Sequence, residues 1–344
     1  MKENRILIVN VNWVGDVLFS TPAIRAIRKR YPQAYIACMV VPRCREVLEL
    51  NPYLDELLIY DEQKEYKGLG GKLRLIAALK SRRFDMVFLF HRSLTRTLMV
   101  ALSGIKERVG IYNPKRGFLL TKKVEPQKSG VHKVEQFLNI VKAKDIPPAG
   151  RNMELFISKE DEAFAREYLN SQGIKAGKPI IVLNPGGNWN LKRWPAANFA
   201  KLGDKLADLF GAQIIITGAE KDVELGNAIA GMMKHRPAVT CGKTTLRQLA
   251  AVMRRADLVI SNDSGPMHIA VSQGVKTIAL FGPTDPKATG PYGGGKYVVI
   301  QKPPGKPECE ITCYNLRCED NSCMKAITIE DVIKAAETLL KRKG

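Results

Sequence analysis

The sequence predicts an α/β protein of two domains, each a mostly parallel sheet with helices on both faces. Three observations lead there. The chain has 344 residues, enough for about two domains of ~150 residues. Short apolar runs of strand length alternate with segments of helical period. The alternation softens at Ile146-Pro147-Pro148-Ala149-Gly150 and restarts at Pro179. The expectation is a domain of residues 1–156 and another of 157–327, two Rossmann-like halves facing a central cleft.

In the first domain a strand, Arg5–Val11, is followed by a turn at Trp13-Val14-Gly15-Asp16. Thr21-Pro22 reads as a helix start, because Thr caps well and Pro suits the first helical position. The helix ends at Arg30, before Pro32, and its basic last turn (Arg28, Lys29, Arg30) complements the dipole. Strands at Ala34–Val41, Glu56–Tyr60 and Met86–Phe90 follow, with a helix over Lys72–Arg82. The second domain opens with a helix, Lys159–Gln172, and a buried-type strand, Pro179–Asn184, ending in Pro-Gly-Gly. Helices at Ala196–Phe210, Asp222–Met233 and Pro266–Gln273 then alternate with strands at Ala212–Thr217, Leu258–Ser261 and Thr277–Phe281. A last helical segment, Ile329–Arg342, is strongly basic at its end.

Composition excludes several classes. With 45% apolar and 26% charged residues the chain is globular rather than disordered. No apolar run approaches the roughly 18–20 residues needed to span a bilayer. MKENR leads straight into ILIVNV without a signal-type apolar region or cleavage site, so a cytoplasmic location is expected. Charge is abnormal: 54 Lys and Arg against 34 Asp and Glu give +20. Residues 1–150 hold 27 of those basic and 14 of the acidic side chains. A basic half suits an anionic partner: nucleic acid, a phosphorylated lipid surface or a polyphosphate ligand.

In open α/β sheets chemistry sits in the loops after the strands. The first such loop holds one glycine, not G-x-G-x-x-G, so a dinucleotide site there is not expected. It instead offers a carboxylate, Asp16, able to cap a helical turn or to act as general base. The second, Asn184-Pro185-Gly186-Gly187-Asn188-Trp189-Asn190-Leu191-Lys192-Arg193-Trp194-Pro195, brings glycine amides and two cations before a helix. That pattern suits a pyrophosphate. The third, Ser261-Asn262-Asp263-Ser264-Gly265-Pro266-Met267-His268, starts a helix whose amides at Ser264, Gly265 and Met267 and whose dipole attract an anion. His268 lies in its first turn. Gly282-Pro283-Thr284-Asp285-Pro286 is a further turn, weak by itself. In Thr217-Gly218-Ala219-Glu220-Lys221-Asp222 an acid, Asp222, is placed to accept from ribose hydroxyls or to cap the next helix.

Cys309, Cys313, Cys318 and Cys323 form a late cluster spaced C-x3-C-x4-C-x4-C, unlike the paired C-x2-C of common zinc sites. Free thiols, a metal site and disulfides are all compatible with it. No acidic D-x-D pair stands ready to hold a cation in the phosphate site, so neither metal nor cofactor is expected there.

In this order, the early Gly-Asp with S-T-P-A-I-R-A-I, then N-P-G-G-x-W-x-x-K-R-W-P, S-N-D-S-G-P-M-H-I-A and L-F-G-P-T-D-P resemble the ADP-heptose:lipopolysaccharide heptosyltransferases of glycosyltransferase family 9. The similarity covers nearly the whole chain, and the cysteine-containing tail looks closer to the second type of these enzymes. The resemblance implies the GT-B fold, with an N-terminal acceptor domain, a C-terminal nucleotide-sugar domain and a final helix, 328–344, crossing back onto the first. It implies that Asp16 is the catalytic base and that Lys192 contacts the donor phosphates. Asp263, Ser264, Gly265 and His268 match the motif around the donor sugar and diphosphate, and Asp222 falls, more loosely, at the ribose. Gly186-Gly187-Asn188 departs from relatives that place threonines beside the phosphates, so Gly187 amides and Asn188 would serve instead.

The resemblance further implies an inverting transfer from ADP-heptose to a phosphorylated lipid A–core acceptor, the second heptose of the inner core, at the cytoplasmic face of the inner membrane. Arg92, Arg96, Lys115, Arg116, Lys122 and Lys123 are candidates for the anionic acceptor and the membrane surface. A GT-B enzyme using another nucleotide sugar is the alternative. A nicotinamide oxidoreductase lacks its glycine fingerprint here, and no RNP-like or helix-turn-helix signature supports nucleic acid as a partner.

Overall fold

The computed structural model describes residues 4–303, 305, 309, 311–313 and 318–340. The chain divides between Phe156 and Ile157 into two compact units. The first contains β1 (Arg5–Val9), α1 (Val14–Arg30), β2 (Tyr35–Val40), α2 (Arg45–Leu48), β3 (Glu56–Ile59) and α3 (Gly68–Ser81). It continues with β4 (Met86–Leu89), α4 (Leu94–Leu102), β5 (Glu107–Ile111), β6 (Lys122–Val124) and α5 (Lys133–Lys142). Its six strands are all parallel, in the order β3-β2-β1-β4-β5-β6. Val, Ile, Leu and Phe fill β1 and β4 with hardly a polar interruption because helices cover both faces of a parallel sheet.

The second unit contains α6 (Lys159–Ser171), β7 (Ile180–Asn184), α7 (Ala196–Phe210), β8 (Gln213–Ile216), α8 (Val223–Met232), β9 (Ala238–Val239) and α9 (Leu246–Arg254). Then come β10 (Leu258–Asn262), α10 (Gly265–Ser272), β11 (Thr277–Phe281), α11 (Pro286–Thr289), β12 (Tyr297–Gln301), α12 (Ser322–Lys325) and α13 (Ile329–Leu340). This sheet is also parallel, ordered β12-β11-β10-β7-β8-β9. Strand order reverses between β1 and β4 in the first unit and between β7 and β10 in the second. Those are the places where loops splay apart and a ligand can enter.

The start of the first helix needs correction. It does not fall at Thr21-Pro22; α1 begins at Val14 and carries Pro22 in its interior. A proline there deprives the Leu18 carbonyl of its usual donor. Thr21 Oγ1 fills the gap by donating to Leu18 O at 2.8 Å, and the same oxygen accepts from the Glu154 amide at 3.0 Å. Val332, Ala335 and Ala336 of α13 are buried in the core of the second unit, beside Leu206, Ile278 and Ile327. That face packs against α7 and the strands β10 to β12 of the same unit.

The Pro-Pro stretch before the boundary is fastened, not loose. Arg25 of α1 donates to the Ala149 and Asn152 carbonyls and pairs with Glu154 at 2.6 Å.

Arg116 is fully buried, so it cannot meet an acceptor or a membrane as its charge suggested. Its guanidinium donates to His91 O (2.7 Å), Thr97 Oγ1 (3.0 Å) and Ile111 O (2.9 Å), stapling the loop after β4 to α4 and β5. Burial pulls its pKa down to about 10, with Arg92 adding repulsion. Arg116→Ala is expected to cost about 3 kcal/mol, through the cavity and the orphaned carbonyls. A urea midpoint within error of wild type would contradict this role.

Candidate active site

In the second unit the switch point is closed by two asparagines. Asn184, last in β7, donates to Ser261 Oγ and Ser264 Oγ, both at 2.9 Å. Asn262, last in β10, donates to Pro185 O (2.7 Å) and accepts from the Trp194 amide. These bonds hold the glycine loop after β7 against the start of α10. The loop is tied from behind as well: Trp194 Nε1 donates to Ile327 O at 2.9 Å, and Asn321 Nδ2 to Arg193 O at 2.8 Å.

Three loops then converge on one carboxylate oxygen. Lys192 Nζ lies 2.6 Å from Asp263 Oδ2, and Thr284 Oγ1 donates to that oxygen, also at 2.6 Å. Asp263 is nearly inaccessible while Lys192 reaches solvent. An ammonium has three donors, so a lysine held through one of them can still turn the others toward an anion. The weak-looking Gly282–Pro286 turn thus supplies Thr284, which motif reading alone passes over.

Ser264 precedes α10, but its hydroxyl is engaged by Asn184 and does not cap the helix. Gly265 opens the helix, and Pro266 carries no N–H. The Met267 amide donates to Ser264 O at 3.2 Å, so the anion-directed amides are fewer than the sequence suggested. His268 is buried in α10 at 3% exposure, on the interior side of the motif.

Gly187 is buried, and its carbonyl accepts from Arg193 Nε and Nη2 at 3.1 and 2.6 Å. Asn188 is exposed and accepts from Lys221 Nζ. Asp222 is the acid expected at the ribose or as a helix cap. It is buried, its Oδ2 accepts from the Ala219 amide at 3.1 Å, and Arg193 approaches its other oxygen at 3.6 Å. A Cβ on Gly186 would fall 2.6 Å from Asp222 Oδ2, so this acid supports the glycine loop from beneath. Glu220, two residues earlier, is the acid of that loop left exposed.

In the first unit Asp16 sits in the first turn of α1, where the helix dipole favours a carboxylate. Lys133 Nζ, from the first residue of α5, lies 2.7 Å from Asp16 Oδ1. Lys133 is placed by its neighbour: His132 Nδ1 accepts from the Val134 amide as helix cap, and its ring meets Phe19 of α1 edge-on at 5.0 Å. Asn12, just before α1, accepts from Arg43 Nε through its carbonyl and from Arg96 Nη1 through Oδ1, both at 2.8 Å.

Arg96 borders a cavity of about 320 Å³ lined by Tyr60, Glu62, Tyr66, Lys72, Ser93 and Thr95 among others. Its guanidinium stands 4.7 Å over the Tyr60 ring, and Tyr60 stacks on Tyr66. Nearby His91 accepts from the Ser93 amide through Nδ1. Burial, with Arg96 and Arg116 close by, lowers its pKa to about 4 and keeps it neutral.

Cys38, Cys44 and Cys241 are buried and Cys309, Cys313, Cys318 and Cys323 half-buried, with no disulfide among them. Burial raises Cys38 and Cys44 to about 12 and Cys241 to about 11, which keeps them protonated and unreactive. Among the described residues no group of three or more His, Cys, Asp or Glu is arranged to hold a metal.

A model of glycosyltransferase family 9 (heptosyltransferase) matches residues 72–318, well over half of the chain. The chain belongs to glycosyltransferase family 9. This glycosyltransferase is 28% identical over 300 residues to lipopolysaccharide heptosyltransferase 2 of Escherichia coli strain K12, covering 83% of this chain and 85% of the relative. It superposes on a family 9 glycosyltransferase from Veillonella parvula with a TM-score of 0.89 at 28% identity, covering 99% and 98% of the two chains. Against E. coli ADP-heptose lps heptosyltransferase II the TM-score is 0.81 at 26% identity, with 98% of each chain covered. The enzyme thus has the two-sheet α/β architecture of the GT-B glycosyltransferases.

Proposed function

We propose that this enzyme transfers L-glycero-D-manno-heptose from ADP-heptose to the inner core of lipopolysaccharide, as the second heptose on a Kdo–lipid A acceptor, with inversion. One observation carries the chemistry: Lys192, Asp263 and Thr284 converge at the β7/β10 switch point beside the start of α10. The relatives over most of the chain supply the choice of sugar.

In this reading the second unit binds the donor. Lys192 and the Gly187 and Gly265 amides meet the diphosphate, with Asn188 and Lys221 at its exposed flank and Ser264 and Asp263 shaping the sugar side. His268 supports that wall from inside α10. The ribose contact is assigned to Glu220, the exposed acid of that loop, while Asp222 lies buried beneath Gly186. The first unit binds the acceptor. An acceptor hydroxyl oxygen attacks the anomeric carbon, and the bond from that carbon to the β-phosphate oxygen breaks. ADP leaves with the electron pair, and Asp16 takes the hydroxyl proton. One base suffices, and no covalent sugar–enzyme intermediate forms, unlike the paired carboxylates of a retaining glycosidase. Lys192 and the start of α10 stabilise the charge growing on ADP in advance of the reaction.

The test is a panel of ADP-, UDP- and GDP-sugars with a Kdo- and heptose-bearing lipid A acceptor. Nucleotide release is expected with ADP-heptose alone, and NMR should show an anomeric configuration opposite to the donor's. Turnover with a UDP- or GDP-sugar instead would favour the alternative donor.

Gly186→Ala probes the same loop. The new methyl collides with a buried carboxylate, so the loop must move, and ADP affinity is expected to fall about tenfold by titration calorimetry. A Cβ at Gly187 meets nothing closer than 3.9 Å, so the steric demand is specific to Gly186. Unchanged affinity would show that the loop does not touch the nucleotide.

No described helix is long and apolar enough to cross a membrane. In this reading a lipid-anchored acceptor is met at the membrane surface, on the cytoplasmic face of the inner membrane. Exposed Arg92, Lys115, Lys122 and Lys123 favour that approach. Arg96 serves the acceptor from within its cavity.

A further inference from the structure

The first unit carries an apolar surface that its own core does not use. Helix α4 buries Arg96, Thr97, Met99 and Val100 but leaves Leu94, Leu98 and Leu102 42%, 41% and 59% exposed. Their spacing of four puts these leucines in one row. Helix α3 adds Leu69 and Leu73, 75% and 57% exposed, and turns Leu75 and Leu79 inward. The two helices pack together, and a one-turn helix at Gly117–Leu119 lies against α4, contributing Phe118 at 75% exposure. Three neighbouring elements thus hold six of the twelve exposed large apolar side chains among the described residues. Single exposed leucines are ordinary, but a row of them on adjacent helices marks an interaction surface.

The surroundings identify the partner. Residues 61–123 carry 15 Lys and Arg against five Asp and Glu, half of the whole positive excess. Arg92, Lys106, Lys115, Lys122 and Lys123 are exposed in that segment. Leucine and phenylalanine bordered by cations suit the boundary between lipid headgroups and acyl chains. The same helix starts line the Arg96 cavity, through Gly68 and Lys72 of α3 and Ser93 and Thr95 at α4.

We propose that the leucine row of α3 and α4, with Phe118 at its margin, is a docking surface that enters the headgroup–acyl boundary of an anionic bilayer. The choice of a bilayer rests on the flanking charge and on the acceptor reading above, whose lipid chains occupy that layer. Charge alone gives binding that salt removes, since screening acts within about 10 Å at 0.1 M. Inserted leucines give binding that survives salt.

The test uses the full chain and vesicles of phosphatidylglycerol and phosphatidylcholine. The triple variant Leu94→Gln, Leu98→Gln, Phe118→Ser is expected to lower the partition coefficient about tenfold at both low and high salt, with an unchanged melting temperature. Lys122→Glu with Lys123→Glu should weaken binding at low salt only. Phe118→Trp should show emission that shifts to the blue on vesicles and is quenched by brominated acyl chains. Full partitioning of the triple variant, or an unshifted and unquenched Phe118→Trp emission, overturns the proposal. So does a triple variant that loses self-association in lipid-free buffer yet binds vesicles normally, which would make the face a contact between copies. The triple variant should still act on a deacylated acceptor at the wild-type rate. If wild type transfers no heptose to either acceptor while the vesicle results hold, the acceptor reading fails and the docking surface stands.

Discussion

Asp16→Asn is expected to lower heptose transfer about a thousandfold while leaving ADP affinity unchanged. The size follows from the proton: a positioned general base contributes roughly 10²–10⁴ to the rate, and an amide cannot accept that proton. The substitution keeps the shape of the side chain. It removes one ion pair with Lys133 and a favourable charge at the start of α1. Each is worth about 1 kcal/mol or less at a partly exposed site, so the variant should stay folded. ADP titration reports on the second unit, where the nucleotide loops lie, and should not register the change. Initial rates of ADP release with saturating acceptor measure the effect; turnover within tenfold of wild type would remove Asp16 from the reaction.

Lys192→Ala should act on binding and chemistry together, because the ammonium meets the diphosphate both before and during departure. Loss of one preorganised donor costs about 3 kcal/mol, roughly a hundredfold in kcat, and the donor KM should rise as well. The structure adds a complication. Asp263 is almost wholly buried and, among the described residues, its carboxylate would keep only Thr284 as a partner. Orphaning a buried charge destabilises by roughly 3 kcal/mol, so lower activity could reflect a weaker fold. The double variant Lys192→Ala, Asp263→Asn separates the two. It relieves the orphaned charge, so the melting temperature should recover while the rate stays low. Recovery of the rate together with stability would show that Lys192 acts only as structural partner to Asp263.

Much of the fold was legible because parallel strands and their helices have local signatures. Ala196–Phe210 and Thr277–Phe281 occur as the sequence suggests, since one has an uninterrupted helical period and the other is a pure apolar run. Elements governed by distant partners were not legible. β6 is three residues long with two lysines, and pairing with β5 alone makes it a strand. Thr21-Pro22 carries a true helix-start pattern, yet the hydroxyl that repairs the Leu18 carbonyl lets the helix run through it.

The same division holds for the site. Lys192, Asp263 and Ser264 belong to contiguous motifs, which is why the sequence alone marks them as candidates. Lys133 is not so marked, because nothing in its own neighbourhood signals a partner 117 residues away. Arg116 was misplaced because charge in a sequence suggests solvent, and only a structure shows a charged group spent on carbonyls within the protein.

The bonds from Trp194 to Ile327 and from Asn321 to Arg193 have a bearing on how this enzyme can be rebuilt. The loop that presents Lys192 takes its position from residues more than 120 places downstream. Grafting a relative's tail, or trimming the end to aid crystallisation, would therefore alter nucleotide handling even with every motif residue intact. Head and tail of this half form one inheritable module, and any chimera should exchange them as a pair.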